Sequence, residues 1–400
     1  MKKIFFLIIS LTLFFTACED HPAEVGSSLI KDDDRIQSHT LGSEDIRFTQ
    51  EIIETQIAAG SSYSVLVGKH KTEESIGLLR FINFPEDDTL GNIVVLSADI
   101  VLHPTGYYIG DPSNFAVSVY RITSTWDADN INNMSVTGLS QDGTKYGSFS
   151  GSVNDTGAIY IPLSTGLVKE WLQLKAAYSS SANNLIQGIM LVPEISSGSL
   201  YSFYSNYSNS SVYEEGDNYP YLRVIRNIDG ERDTLFIPSA ANSYYGFSRN
   251  FNMNDQNIVV QSGIAYRTKL TFDISKIPEH VHISNATLTL TLDDMNSNIG
   301  VNSVDSLIAY TRVISPINYI SYDQFNTIAS GYLSINGKRA FDVNITTFVQ
   351  AWLERKDNQG MELSHLGELV SIDKLSFYSN SAANPEDRPK LKVEYLILPK

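Results

Sequence analysis

The sequence predicts an all-β protein of two tandem antiparallel β-sandwich (jelly-roll-like) domains, each with one short helix. The first observation is the rhythm of the chain: short runs rich in Val, Ile, Leu, Tyr and Thr alternate with clusters of turn-forming residues. The second is that many of these runs recur in the same order in both halves. The third is length, because 400 residues exceed what one core usually holds.

The N-terminus has the layout of an export signal. Two lysines precede an apolar run over residues 4–15, which is too short to span a bilayer as a permanent helix. The end of the run, FFTAC, resembles a bacterial lipobox with Phe15 where Leu usually stands. The resemblance implies a signal peptide over residues 1–17 and lipidation of Cys18, the single cysteine of the chain. A free thiol within a cleaved signal is the alternative.

Residues 18–45 are predicted to be the lipidated cysteine and a flexible acidic tether, because the stretch is polar and lacks periodicity. Acidic residues directly after Cys18 resemble the surface-export signals of Bacteroidota lipoproteins. We therefore expect a lipid anchor in the outer membrane, with the protein on the periplasmic face or at the cell surface. The formal net charge of −16 argues against nucleic acid as a partner.

The predicted domains span residues 46–228 and 229–400, and segments of the first match segments of the second in order. The matched pairs include Leu96–Leu102 with Ser284–Leu290, Ile159–Leu172 with Ala340–Leu353, and Ser202–Asn206 with Ser376–Asn380. The last pair is the identical pentapeptide SFYSN. We expect its Phe to face the core and its Tyr to point away, because side chains alternate along a strand.

One segment of each half has helical periodicity. In STGLVKEWLQ and TTFVQAWLE a Ser or Thr cap precedes apolar residues that share one helix face. We expect one short amphipathic helix per half, covering an open end of the sandwich, with its tryptophan in the core. The apolar positions are Leu167, Val168, Trp171 and Leu172, and Phe348, Val349, Trp352 and Leu353.

The order of several motifs resembles that of the DNRLRE-type β-sandwich domain. These motifs are a V-x-R-I/V strand, the (V/I)xxWL helix, QG, SFYS and a final P-x-L-x-V strand. The resemblance covers roughly residues 60–226 and 245–396. Some domains of that type are grouped with carbohydrate-binding modules, and the lipoprotein layout is similar to DUF4270-type lipoproteins of Bacteroidota. The resemblance implies a display or binding module, and it brings no active-site residue with it.

The motifs of common enzyme families are absent: the sequence has no HExxH, G-x-S-x-G elbow, Walker loop or GxGxxG after a strand. We therefore predict no catalytic residue, no cofactor and no metal ligand. Two patterns leave alternatives open. His280 and His282 are spaced as metal ligands on an extended segment can be. Loops Asp127–Asn130 and Asp293–Asn298 carry the oxygen ligands that structural calcium prefers, although solvated loops of an acidic protein have the same composition.

Candidate ligand-binding residues are aromatic side chains beside polar loops. Trp126 stands next to Asp127 and Asp129, an arrangement in which an indole stacks on a sugar ring and carboxylates bind its hydroxyls. Packing of Trp126 in the core is the alternative. The other candidates are Tyr107, Tyr108, Tyr207 and Tyr213. The last two belong to a loop dense in Tyr, Ser and Asn, a composition typical of antibody binding sites.

Three functions follow from these observations. The first is a non-enzymatic surface lipoprotein that binds a polysaccharide or another surface partner. The second is a structural component of the envelope or of a secretion apparatus that docks proteins. The third is a polysaccharide lyase or hydrolase, because β-sandwich lyases can work with Tyr and His alone. The missing catalytic motifs favour the first.

Overall fold

The computed structural model describes residues 37–85, 93–132, 138–154, 157–206, 214, 216–253, 255–314, 320–334 and 337–397, the side chains of 312–314 and 320–325 excepted. The described chain is all-β, with antiparallel sheets and two α-helices. This confirms the predicted fold class at the level of antiparallel β-structure.

The elements are as follows. The strands of the first half are β1 (Gln37–Leu41), β2 (Phe48–Glu54), β3 (Ser64–His70), β4 (Glu73–Arg80), β5 (Ile93–Leu102), β6 (Pro104–Gly110), β7 (Phe115–Ile122), β8 (Gln141–Gly151), β9 (Ile159–Pro162), β10 (Ile189–Pro193), β11 (Ser199–Tyr204) and β12 (Tyr221–Ile228). Those of the second half are β13 (Glu231–Pro238), β14 (Ala241–Ser248), β15 (Ile258–Gln261), β16 (Tyr266–Phe272), β17 (His282–Thr291), β18 (Ser306–Ile314), β19 (Ile320–Leu333), β20 (Arg339–Asn344), β21 (Met361–His365), β22 (Lys374–Phe377) and β23 (Lys390–Ile397). Helix α1 (Thr165–Tyr178) follows β9, and helix α2 (Thr346–Arg355) follows β20.

The two halves repeat one strand order. In the first half β12-β5-β9 are neighbours in one sheet and β4-β10-β7-β8 in another. In the second half, β23-β17-β20 and β16-β21-β18-β19 repeat those relations. The long strand β19 pairs with both β18 and β20, so the two groups form one continuous sheet. Side chains from both sheets of the first half meet in one core, as in a sandwich.

The leading strand pair of each half lies on the other half. Strand β1 pairs with β23 and β2 pairs with β16, whereas β13 pairs with β12 and β14 pairs with β4. Because β23 and β12 are equivalent in the repeated order, as are β16 and β4, the pairs β1–β2 and β13–β14 occupy equivalent places. Strand pairing therefore crosses the predicted boundary at residues 228 and 229 in both directions. The division into separate domains stays a prediction.

The hydrophobic cores mix residues of both halves in the same way. The core of the first half includes Ile237 and Tyr244 from the exchanged strands, and also Val259 and Ile372. The core of the second half includes Ile46, which precedes β2. Apolar burial is the main favourable term in folding, so each half depends on the other for part of its stability.

Both predicted helices are confirmed, but only one has the predicted cap. Ser164 Oγ accepts a hydrogen bond from Leu167 N ahead of α1. Ahead of α2, Asn344 Oδ1 accepts from Thr346 N, and the hydroxyl of Thr346 instead accepts from the backbone of a neighbouring strand. The Thr cap of α2 was therefore wrong. The apolar helix face is buried, Leu353 only in part, and its fully covered members are Leu167, Val168, Trp171, Leu172, Phe348, Val349 and Trp352.

The repeated pentapeptide SFYSN forms the end of β11 and of β22. Phe203 and Phe377 are fully buried in the two cores, whereas Tyr204 is exposed and Tyr378 is half-buried. The predicted orientation of these side chains is confirmed.

Candidate functional site: an aromatic sheet face

The four-stranded sheet β13-β12-β5-β9 has one face on the core and one face turned outward. On β5, Ala98 and Ile100 are buried in the core, so Asp99 between them projects to the outward face. Asp99 pairs with Arg223 on β12 and with Pro162 on β9. Because directly paired residues on neighbouring strands project to the same face of a sheet, these residues form a row of outward side chains.

Two aromatic side chains stand at the ends of this row. Phe236 on β13 is the pairing partner of Arg223, and Tyr160 lies two residues before Pro162 on β9. Neighbouring strands are about 4.8 Å apart, so the outer strands of the sheet are about 14 Å apart. We call Asp99, Tyr160, Arg223 and Phe236 the aromatic face.

The polar pair at the centre of the aromatic face is held firmly. Arg223 Nη2 donates to Asp99 Oδ2 at 2.7 Å, and the guanidinium carbon lies 4.7 Å from the ring centroid of Tyr160. The hydrogen bond to Asp99 raises the pKa of Arg223, so the cation is retained. The ring of Phe236 packs edge-on against the buried ring of Tyr221, with centroids 5.9 Å apart. These contacts fix the orientation of both flanking rings.

The aromatic face is accessible. Tyr160 is 44% exposed and Phe236 is 45% exposed, and Val94 and Leu96 at the start of β5 are exposed as well. Exposed apolar side chains that gather on one sheet face of a protein mark a contact surface.

At the positions equivalent to this row, the second half carries polar and charged side chains. Thr289 and Thr287 on β17 correspond to Val101 and Asp99, by the match of Leu96–Leu102 with Ser284–Leu290. Thr289 pairs with Asp342 and Lys390, and Thr287 pairs with Lys392. Asp342 therefore stands where Tyr160 stands in the first half. The gapless match of Ile159–Leu172 with Ala340–Leu353 was wrong by one residue within this strand, because it aligned Tyr160 with the buried Phe341.

Trp126, the leading ligand-binding candidate from the sequence, lies within the protein. Its side chain is 7% exposed and packs in a small cluster with Ile122 and Met190. Its Nε1 donates to Gln187 O at 2.8 Å, and the guanidinium carbon of Arg80 lies 5.1 Å from its ring centroid. The burial agrees with the packing alternative.

Asp127 and Asp129 are exposed and bind within their own loop. Asp127 accepts hydrogen bonds from Asp129 N and from Asn130 Nδ2, and so caps the short 3-10 turn Ala128–Asn130. Three further predicted residues, Cys18, Tyr207 and Tyr213, lie outside the described residues.

Tyr107 belongs to a buried joint between the two halves. Its hydroxyl donates to Asp373 Oδ1 at 3.0 Å and accepts from Ile372 N at 3.0 Å. Burial, reinforced by the Asp373 charge, raises the pKa of Tyr107 well above its usual value. The neighbouring Tyr108 stacks on Tyr201, with ring centroids 5.2 Å apart.

The joint also holds His365, beside Asp373. Gly367 N donates to His365 Nδ1 at 3.0 Å, which requires a ring without a proton on that nitrogen. His365 Nε2 lies 3.8 Å from Asp373 Oδ2, and both side chains are fully buried. Burial lowers the pKa of His365 despite the carboxylates of Asp373, Glu368 and Asp305. A neutral, buried imidazole of this kind is out of reach of a polymer.

Within the described residues, no group of three or more His, Cys, Asp or Glu side chains is arranged to hold a metal ion. His280 and His282 are both exposed, and the nearest acidic contact of His280 is its neighbour Glu279. In the Asp293–Asn298 loop, Asp293 Oδ2 accepts hydrogen bonds from the side-chain amides of Asn257 and Asn296.

Across the part of the chain that the structure describes, no helix has the length and apolar character needed to cross a membrane. No family model matches the chain, and no curated protein is significantly similar to it.

The aromatic face was not predicted from the sequence, although one signal for it was present. Tyr160 stands between Ile159 and Ile161 in IYIP, and both isoleucines are buried, so alternation alone predicts an outward Tyr. Arg223 and Phe236 gave no comparable signal, because they join the site only through pairing between strands.

Proposed function

We propose that this protein is a non-enzymatic, lipid-anchored surface protein that binds a neutral polysaccharide on the aromatic face. One observation carries the proposal: Tyr160 and Phe236 are exposed on the same open sheet face, on either side of the Arg223–Asp99 pair. The resemblance to DNRLRE-type domains supports a binding module, and the lipobox at Cys18 supports the lipid anchor.

The chemistry of the face suits sugar rings. The C–H faces of pyranoses pack on aromatic rings, while their hydroxyls exchange hydrogen bonds with planar polar groups. Arg223 offers donors and Asp99 offers acceptors, and the two charges offset each other. A neutral polymer fits this face better than an acidic one, because the whole protein carries −16.

The aromatic face is a binding surface without the elements of a catalyst. Its only carboxylate is Asp99, which is already paired with Arg223 at 2.7 Å. Glycoside hydrolysis commonly requires two carboxyl groups a fixed distance apart across the scissile bond. This supports a binding module in preference to a glycoside hydrolase.

The test is binding of purified full-length protein to insoluble and soluble neutral polysaccharides, namely xylan, β-glucan and mannan, by pulldown and affinity electrophoresis. We expect the double variant Tyr160→Ala and Phe236→Ala to lose at least about tenfold in affinity, because each stacked ring contributes on the order of 1 kcal/mol.

Tyr332→Ala is the matched control, because Tyr332 is 42% exposed on the second half. This control should bind like the unmodified protein. Equal retention of the double variant and the control on every polysaccharide would remove the aromatic face from the proposal, and capture of a stoichiometric protein with no retention would favour the docking function.

A further inference from the structure

Strand β2 lies at the edge of its sheet. It pairs with β16 over seven consecutive residue pairs, from Tyr266 with Glu54 to Phe272 with Phe48, without a bulge. In the described part of the chain, no strand pairs with its other side. Edge strands are commonly protected by Pro, charged side chains or a bulge. FTQEIIE has neither Pro nor a bulge, and its charged residues are Glu51 and Glu54, both acidic.

The pairing shows which backbone groups face the open side. Thr55 N donates to Ala265 O, and Asp273 N donates to Arg47 O, so the odd-numbered residues of this segment bond toward β16. The N–H and C=O groups of Phe48, Gln50 and Ile52 therefore face away from β16. Within the described residues, these groups make no backbone hydrogen bond.

A groove of about 650 Å³ runs along this edge. Its wall is the loop before β15, which Gln50 holds by donating from Nε2 to the carbonyls of Gln256 and Asn257 at 2.9 and 3.1 Å. The described lining carries the carboxylates of Glu51 and Asp255 and no cationic side chain.

We infer that the groove binds an extended, lysine-bearing segment of another polypeptide, which adds to the sheet as a strand beside β2. Main-chain hydrogen bonds to Phe48, Gln50 and Ile52 supply affinity, as in other complexes formed by strand addition. Basic side chains of the peptide face Glu51 and Asp255. This site is independent of the aromatic face and of the polysaccharide.

A second copy of the chain is a poorer occupant than a basic peptide. Antiparallel pairing of two β2 strands about their midpoint sets Glu51 opposite Glu51 of the other copy, and like charges directly opposite are destabilising. The same arrangement sets Phe48 opposite Glu54. A lysine-bearing strand removes both conflicts.

The test uses the full chain and a fluorescein-labelled peptide, acetyl-Thr-Lys-Val-Lys-Val-Thr-amide, in fluorescence anisotropy. Two variants of one residue are compared. Gln50→Pro removes an N–H that faces the groove and leaves the ladder to β16 intact, whereas Gln50→Ala keeps that N–H and loses the same side-chain bonds. We expect binding by Gln50→Pro to be about tenfold weaker than binding by Gln50→Ala.

A second measurement keeps the result independent of the folding of Gln50→Pro. The same peptide with alternate backbone amides N-methylated, and a version with Glu in place of Lys, should both bind the unmodified chain about tenfold more weakly. Equal binding of the methylated peptide overturns the inference, as does equal binding of the two variants when both melt like the unmodified chain. Dimerisation through β2 without peptide binding, seen by sedimentation, also overturns it.

Discussion

Removing one hydroxyl from the joint between the halves tests whether Tyr107 is structural. In the Tyr107→Phe variant, Asp373 keeps Gly300 N and Ser303 Oγ as donors but loses the Tyr107 hydroxyl. Ile372 N loses its acceptor at the same time. Asp373 is fully buried, so water cannot replace what is lost.

The expected loss can be worked out from these two bonds. A hydrogen bond to a charged group contributes about 1.5–3 kcal/mol, and a buried N–H left without a partner costs about 1–3 kcal/mol. Allowing for relaxation, we expect Tyr107→Phe to lower the free energy of unfolding by about 3 kcal/mol. That is a large share of the roughly 5–15 kcal/mol by which proteins are stable.

The measurement is urea unfolding followed by tryptophan fluorescence, with Tyr108→Phe as the control. Tyr108 is half-buried against Tyr201, and its hydroxyl makes no hydrogen bond among the described residues, so its loss should change stability by less than about 0.5 kcal/mol. Equal stabilities of the two variants would refute the structural role. Weaker polysaccharide binding by Tyr107→Phe at unchanged stability would return Tyr107 to the ligand-binding residues.

Two further predictions concern the same joint and the exchanged strands. Because burial lowers the pKa of His365, the unfolded chain binds a proton there before the folded chain does. Protonation of His365 therefore has no effect on the free energy of unfolding above about pH 6.5. Below that pH, it lowers the free energy of unfolding progressively until the folded-state pKa is reached. In His365→Gln, the free energy of unfolding should change less steeply with pH over this window, by up to about 1.4 kcal/mol per pH unit. An unchanged pH dependence, measured by urea titrations at several pH values, contradicts the assignment. Separately, a protease site placed in the exposed Asp229–Gly230 turn should yield two fragments that co-elute on gel filtration until denaturant is added, because each holds strands of the other. Separation without denaturant would contradict the exchange.

The fold was predictable where local periodicity determines structure. Helix α1 follows from Ser164 and from the spacing of Leu167 and Trp171, all visible in a short window. The strand ends in SFYSN follow from alternation, which placed Phe203 and Phe377 in the cores. In these cases the physical cause lies within a few residues of the element itself.

The strand exchange could not be predicted, because sequence-local patterns do not choose between two equivalent partners. Strand β1 can lie beside β12 or β23, and these two strands are copies of each other. Only the path of the chain between β2 and β3 decides which is within reach. The predicted boundary between residues 228 and 229 reflects this limit.

The candidate site was poorly predicted for a related reason. Trp126 beside Asp127 has the local pattern of a sugar site, but Arg80 and Gln187, far away in sequence, cover its ring and bind its Nε1. Tyr160 and Phe236 become one surface only through the pairings of β9, β5, β12 and β13. Assigning exposed aromatic residues to a site requires the register of the sheet.

The exchange also explains where the two halves are free to differ. Because each leading strand pair completes the other half, changes in the shared strand order would destabilise both halves, whereas outward faces and sheet edges can change at little cost. The first half carries the aromatic face, and the 3-10 turn Ala128–Asn130 lies against its edge strand β14, where Ser243 Oγ donates to Ala128 O. The second half has a charged outward face at Asp342 and Lys392, and among the described residues no strand pairs with the outer side of its edge strand β2. One duplicated architecture thus presents two different surfaces, for which we propose a sugar polymer and an extended peptide as ligands.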